Sequence, residues 1–225
     1  MKLKDIDFNI ENSPILDEKY QGEIMRKGTH IVALSIPIGF LFIPRDVAVC
    51  IIACVALISA LHDFLRVHHK PFRKFIYRIW GKMYRRWELR RMTGSTYLLA
   101  GSALSLYLFE PNIAAAATAF IIVGDIFAAF VGKIYGRHVI YSHRNNDCTI
   151  RKKTWEGSSA FFVGALITGL CVPGISLLDT LLGAIVATLI ELVSFFIDDN
   201  FTVPIITGIF LQLVMHGQFS VFHLL

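Results

Sequence analysis

Apolar residues run in seven long blocks, roughly 28–43, 47–65, 94–109, 112–132, 158–174, 177–197 and 201–217, and polar residues crowd into the connections between them. Each block is near the length, about 20 residues, that a helix needs to cross ~30 Å of hydrocarbon. The pattern predicts an all-α, polytopic integral membrane protein with about seven transmembrane helices. Residues 1–27 are mixed in charge, with Asp5, Asp7, Glu11, Asp17 and Glu18, and contain no apolar core. They are expected as a cytoplasmic N-terminal segment without a cleaved signal or transit peptide. Residues 28–225 are expected as a single transmembrane catalytic domain, and no internal repeat divides them.

Charge gives the blocks an orientation. Five Lys and Arg precede the first block and Arg45 follows it; ten lie between the second and third blocks and six between the fourth and fifth. With seven spans, 21 of the 22 cations fall on one side, which the positive-inside bias assigns to the cytoplasm. The N-terminus is then cytoplasmic and the C-terminus lies on the opposite side. Composition agrees: 55 % of the 225 residues are hydrophobic and 17 % charged, against ~25 % charged in ordinary soluble domains. A disordered chain, a disulfide scaffold and a secreted enzyme are excluded. Cys50, Cys54 and Cys171 lie inside apolar runs and read, with Cys148, as small packing residues; no further Cys/His set completes a metal site.

One connection has a period of its own. From Pro71, the residues Phe72, Phe75, Ile76, Ile79, Trp80, Met83 and Trp87 recur at three- and four-residue steps, with Arg73, Lys74, Arg78, Lys82, Arg85 and Arg86 between them. This predicts an amphipathic helix over about 71–89, lying in the membrane interface.

A charged side chain inside a span costs on the order of 3 kcal/mol on insertion scales, so each one calls for a reason. Asp63 lies near the cytoplasmic end of the second block beside Arg66, where a surface ion pair suffices. Asp125 lies ~10 Å inside the fourth block, with Ala128, Ala129 and Gly132 on its own face. Small residues there admit a neighbouring helix or a ligand, and the carboxylate favours the ligand. Glu191 has similar depth in the sixth block, and Asp198-Asp199-Asn200 follows with no cation in that loop. An Asn200 cap accounts for the amide but not for the acids, whose oxygens suit a hard cation such as Mg²⁺.

Opposite these acids, two basic stretches lead into odd-numbered blocks: Arg90-Arg91-Met92-Thr93-Gly94-Ser95-Thr96 and Arg151-Lys152-Lys153-Thr154-Trp155-Glu156-Gly157-Ser158. Their helix N-termini face the cytoplasm, where free N–H groups attract phosphate. Cations, hydroxyls and helix N-termini beside metal-binding carboxylates describe a phosphate site.

The ordered set Gly124-Asp125-x-x-Ala128-x-x-x-Gly132-x-x-Tyr135-Gly136, then Lys153-Thr154-x-Glu156-Gly157, then Glu191 and Asp198-x-Asn200-x-x-x-Pro204 resembles the dolichol kinase, phytol kinase and CTP-dependent diacylglycerol kinase family. Glu23-x-x-Arg26-Lys27-x-x-His30 is similar to that family's N-terminal signature. The middle part is also similar to the phosphatidate cytidylyltransferases, but the chain is short for one. It also has Asp198-Asp199-Asn200 where that group's closing signature would stand.

The resemblance implies transfer of the terminal phosphate of CTP, or another nucleoside triphosphate, to the hydroxyl of a polyprenol, phytol or diacylglycerol, assisted by Mg²⁺ or another divalent cation. Asp125, Glu191, Asp198, Asp199 and Asn200 are expected at the metal, one of the acids serving as general base. Lys153, Thr154 and Arg91 are expected at the triphosphate, with backbone near Gly132, Gly136 and Gly157; Asp125, Lys153 and Glu191 form the catalytic set. Glu156 caps the fifth span or orients Lys153, and His30 reads equally as an interfacial histidine or a participant. The partners expected are lipid, nucleotide and bilayer, with no nucleic acid. A reading of another class is an ion-coupled transporter in which Asp125 and Glu191 relay ions; the outer halves of the spans carry no charged partner to extend such a path.

Overall fold

The computed structural model describes residues 28–81, 84, 88, 91–144, 150–194 and 198–216. Helices occupy all seven apolar blocks: α1 over Gly28–Phe42, α2 over Arg45–His68, α4 over Gly94–Leu108 and α5 over Pro111–Ile134. They continue with α6 over Trp155–Cys171, α7 over Leu177–Val193 and α8 over Asp199–His216. A further helix, α3, covers Lys70–Trp80. Of these, α2 and α5 are long and apolar enough to cross a membrane, and the architecture is that of an α-helical membrane protein.

Contacts at the two ends show that consecutive long helices run in alternating directions. At one end the Arg45 guanidinium donates to the carbonyls of Leu106 (3.2 Å) and Tyr107 (2.7 Å), satisfying the last turn of α4. His216 at the end of α8 lies 3.4 Å from Glu110 at the same end. The other end gathers the starts of α4, α6 and α8 with the finishes of α2, α5 and α7, and all the candidate residues lie there.

The centre of the bundle is α5, whose alanine-rich half Ile113–Ala117 is fully buried together with Phe120 and Ile122. Small residues let neighbouring backbones come close, and this close packing is what joins helices where lipid surrounds them. Aromatic rings fill the spaces left by glycines on facing helices. A Cβ on Gly124 would stand 2.6 Å from the Phe161 ring of α6, and one on Gly183 of α7 would stand 3.1 Å from Phe120. Outward faces are apolar: Val32, Phe42, Leu57, Ile58 and Leu178 are all more than 60 % exposed, as lipid contact requires. Cys50 and Cys54 also face outward from α2 rather than packing inside; Cys148 lies outside the described residues.

The structure adds one element to the sequence reading and corrects one pairing. Between α5 and α6 the chain forms a short antiparallel hairpin, β1 over Val139–Arg144 and β2 over Ile150–Thr154, within an otherwise all-α fold. The interfacial helix is described over Lys70–Trp80. It is amphipathic as expected, with Phe75 and Ile79 exposed and Ile76 and Tyr77 turned inward; most of the remainder of 71–89 lies outside the described residues. Finally, the Asp63–Arg66 pair is not at the surface, since both side chains are 1 % exposed or less.

That buried pair joins three segments. Arg66 donates two hydrogen bonds to Asp63 Oδ1 and others to the Tyr77 hydroxyl and the carbonyls of Glu88 and Arg91. Asp63 Oδ2 accepts from the Thr93 amide (2.7 Å), the Thr93 hydroxyl (2.9 Å) and the Thr96 hydroxyl (2.8 Å). The two charges offset each other in a region where neither is solvated, and the remaining donors and acceptors are met by backbone. The network fixes the first turn of α4, where Thr93 is the N-cap.

Candidate active site

The hairpin carries Lys153 to the acids. In its register Tyr141 pairs with Lys153, so the two side chains share a face, and both reach the end of α7. The Tyr141 hydroxyl donates to the Leu192 carbonyl at 2.9 Å. Lys153 Nζ forms an ion pair with Glu191 Oε1, donates to the Glu191 carbonyl at 3.4 Å and lies 3.7 Å from Asp199 Oδ2. Glu191 is 4 % exposed, and its second oxygen, Oε2, is buried without a hydrogen-bond partner. Asp199 begins α8, so one ammonium joins β2, α7 and α8.

Asp198 and Asn200 form the next part of the site. The Asn200 side-chain amide donates to Asp198 Oδ1 at 2.7 Å, and the Asn200 backbone amide donates to Asp198 Oδ1 and Asp199 Oδ1. This closed arrangement packs against α4: a Cβ on Gly94 would stand 3.0 Å from Asn200 Nδ2. The start of α4, held by Asp63, is therefore one wall of the acidic cluster. Arg91, three residues earlier, anchors its carbonyl on Arg66 and is itself exposed.

Gly132, Gly136 and Gly157 meet where α5 and α6 touch. A Cβ on Gly132 would lie 3.4 Å from the Gly157 Cα and 3.5 Å from the Thr154 hydroxyl. Thr154 is the N-cap of α6, its hydroxyl accepting from the Gly157 amide at 3.1 Å. In this structure the glycines thus serve helix contact and the threonine serves capping. Glu156 stands in the first turn of α6. Its carboxylate accepts from the His138 amide at 3.1 Å and lies 2.6 Å from His138 Nδ1, tying the base of the hairpin to α6. Its pKa is lowered to about 2, first by a hydrogen bond to its own backbone amide and then by those to His138.

Asp125 is reached from α1. Its Oδ2 lies 3.5 Å from Nδ1 of His30, which is 12 % exposed, so the pair links α5 to the first turn of α1. The five residues expected at a metal are therefore distributed: Asp125 with His30, Glu191 and Asp199 with Lys153, and Asp198 with Asn200. Among the described residues no group of three His, Cys, Asp or Glu is close enough to hold a metal ion. The oxygen donors of these side chains are of the kind that suits a hard cation such as Mg²⁺.

Comparison with known proteins adds a family likeness. The chain is 27 % identical over 180 residues to CTP-dependent diacylglycerol kinase 1 of Eremothecium gossypii, covering 69 % of this chain and 55 % of that one. It is 26 % identical over 184 residues to CTP-dependent diacylglycerol kinase 1 of Saccharomyces cerevisiae, covering 71 % and 61 %. It is similar to CTP-dependent diacylglycerol kinases. The chain spans between half and two thirds of the length of those two fungal enzymes. It is also 28 % identical over 198 residues to an uncharacterized protein of Rickettsia prowazekii, covering 84 % of this chain and 92 % of that one. No family model and no solved structure matches.

Several contributors to the site were not singled out from sequence. The partners that bury Asp63, Thr93 and Thr96, and the Tyr141 contact to Leu192 lie 30 or more positions apart. The hairpin had a local signal: the β-prone Val139-Ile140-Tyr141 run precedes Asn145-Asn146-Asp147, residue types that favour turns. His30 had only its place in a motif, and its pairing with Asp125 is a tertiary fact.

Proposed function

We propose that the protein is a membrane lipid kinase that transfers the terminal phosphate of CTP to the hydroxyl of a membrane lipid at the cytoplasmic interface. The observation that carries this reading is the meeting of Lys153 with Glu191 and Asp199, brought from three separate segments to one end of the bundle. The likeness to CTP-dependent diacylglycerol kinases supplies the nucleotide and the lipid class. In this reading the seven apolar helices all span the bilayer, with the N-terminus cytoplasmic.

Phosphoryl transfer asks a protein mainly for positioning and charge neutralisation. Lys153, held by two carboxylates, exchanges them for phosphate oxygens when a triphosphate enters, and Arg91 at the exposed start of α4 approaches from the opposite wall. Glu191, Asp199 and Asp198 would hold a divalent cation such as Mg²⁺, which when bound would supply positive charge against the phosphates. Asn200 holds Asp198 in place for this, and Asp125 with His30 borders the approach of the lipid hydroxyl from α1, one of the acids accepting its proton.

Purified protein in detergent with Mg²⁺ is given CTP labelled in the terminal or the α phosphate, together with polyprenol, phytol, diacylglycerol and phosphatidate. Terminal label in a lipid alcohol supports the kinase. The α label in lipid replaces it with cytidylyl transfer, and no label in any lipid overturns both.

A further inference from the structure

Between α1, α2 and α4 lies a cavity of about 400 Å³, within the ~300–1,000 Å³ range of small-molecule sites. Its walls are apolar, with Phe40, Ile52 and Leu98 among them, and its polar side chains, Thr29, His30 and Ser95, come from the starts of α1 and α4, with Ser35 one turn further in. It extends along α1 as far as Ile43. Thirteen residues at 1.5 Å each make this roughly 20 Å, about two thirds of the hydrocarbon thickness. The cavity is thus long, apolar and open to polar groups at one end.

That polar end adjoins both halves of the candidate active site. His30 lines the cavity and stands 3.5 Å from Asp125. Ser95 lines it too, and the preceding residue, Gly94, is the one packed against Asn200 and Asp198. A molecule with one hydroxyl at the end of a long hydrocarbon chain matches this distribution.

We propose that the crevice between α1, α2 and α4 seats the hydrocarbon chain of the lipid acceptor, its hydroxyl end lying at Thr29, His30 and Ser95 beside the acidic cluster. This rests on the kinase reading for the identity of the occupant as a substrate. Chain length is then selected by the distance from His30 to the far end near Ile43 and Ala48. Gly39 stands in the wall, where an added Cβ would meet only the Ile43 side chain, at 3.6 Å. A larger residue at that position therefore shortens the usable crevice without disturbing a helix contact.

Two measurements test this on the full chain reconstituted in phosphatidylcholine vesicles. First, a diacylglycerol carrying a diazirine at its chain terminus is photo-crosslinked to the wild type and mapped by mass spectrometry. Labelling within residues 36–55 or 95–99, displaced by unlabelled diacylglycerol, is expected; labelling spread over the outward faces of α6 and α7 overturns the proposal. Second, Gly39→Leu is expected to lower kcat/KM for long-chain acceptors about tenfold while sparing short-chain ones, with Gly39→Ala as the control. An unchanged chain-length profile in an active Gly39→Leu protein also overturns it and leaves the kinase reading standing. Crosslinking in the crevice without transfer of the terminal label to any alcohol does the reverse: it sinks the kinase and retains a lipid site. Should Gly39→Leu fail to fold, the wild-type crosslink map decides alone.

Discussion

Lys153 Nζ is ion-paired with Glu191 Oε1 across the junction between β2 and the end of α7. The lysine keeps some access to solvent while the glutamate keeps almost none, so among the described residues the carboxylate is offset by this cation. Removing the cation leaves a buried charge uncompensated, which costs about 3–5 kcal/mol where such pairs have been broken. Lys153→Met is expected to destabilise the protein by several kcal/mol, and the double substitution Lys153→Met with Glu191→Gln to recover most of it. Thermal unfolding in detergent gives the comparison, and equal losses in single and double variants show that the two are not coupled. Both variants are expected to lose phosphoryl transfer.

Asp125→Asn retains the shape of the side chain and removes its charge. The protein is expected to insert and unfold as the wild type does while transfer of the terminal phosphate drops by at least about a hundredfold, the scale of a lost acid–base group. Substantial residual transfer in a folded Asp125→Asn protein removes this carboxylate from the mechanism.

Arg66 donates to Asp63, to the Tyr77 hydroxyl and to two carbonyls, a set that needs a planar fork of donors. Lysine carries the charge but not the fork. Arg66→Lys is expected to lower the unfolding temperature nearly as much as Arg66→Met, and full stability in Arg66→Lys contradicts the importance assigned to the fork. Both substitutions loosen Thr93 and with it the wall of the acidic cluster at Gly94.

Gly124 and Phe161 interlock, and a methyl group on the glycine overlaps the ring. Gly124→Ala is expected to cost about 1–3 kcal/mol, the range for overpacked cores. Combining it with Phe161→Leu should restore part of the loss. If the two effects simply add, the α5–α6 contact is not the cause.

Glu156 holds His138 with a pKa lowered to about 2 from 4.5. A depressed carboxylate stabilises the fold fully above its unfolded value and loses that contribution as pH falls through the folded one. The stability difference between wild type and Glu156→Gln is therefore expected to be constant above pH ~4.5 and to shrink toward pH ~2. Hydrogen exchange at the His138 amide follows the same window; a difference independent of pH down to 2 speaks against the carboxylate.

The seven helices were legible because each is encoded by its own run of apolar residues, and a period is a local property. The charge count is local in the same way, since each connection carries its own cations. Asp125, Glu191 and Asp198–Asn200 stood out because a carboxylate among apolar residues is costly wherever its partner lies. Partners themselves are not local. Nothing near Asp63 indicates that Thr93 and Thr96 will bury it, so a pair that reads as superficial is an interior junction. The strand pairing that aims Lys153 at Glu191 is set by a register between segments.

Sequence by itself thus determined that the chain is a helical membrane protein, where its helices run and which charges need explaining, since length, period and desolvation cost act within a segment. Tertiary structure decided which acid meets which cation: Lys153 with Glu191 and Asp199, His30 with Asp125, Arg66 with Asp63. It also decided that a crevice lies between α1, α2 and α4. These depend on how close the helices approach one another, and the small residues of α5 permit that approach without specifying, in one dimension, what it brings together.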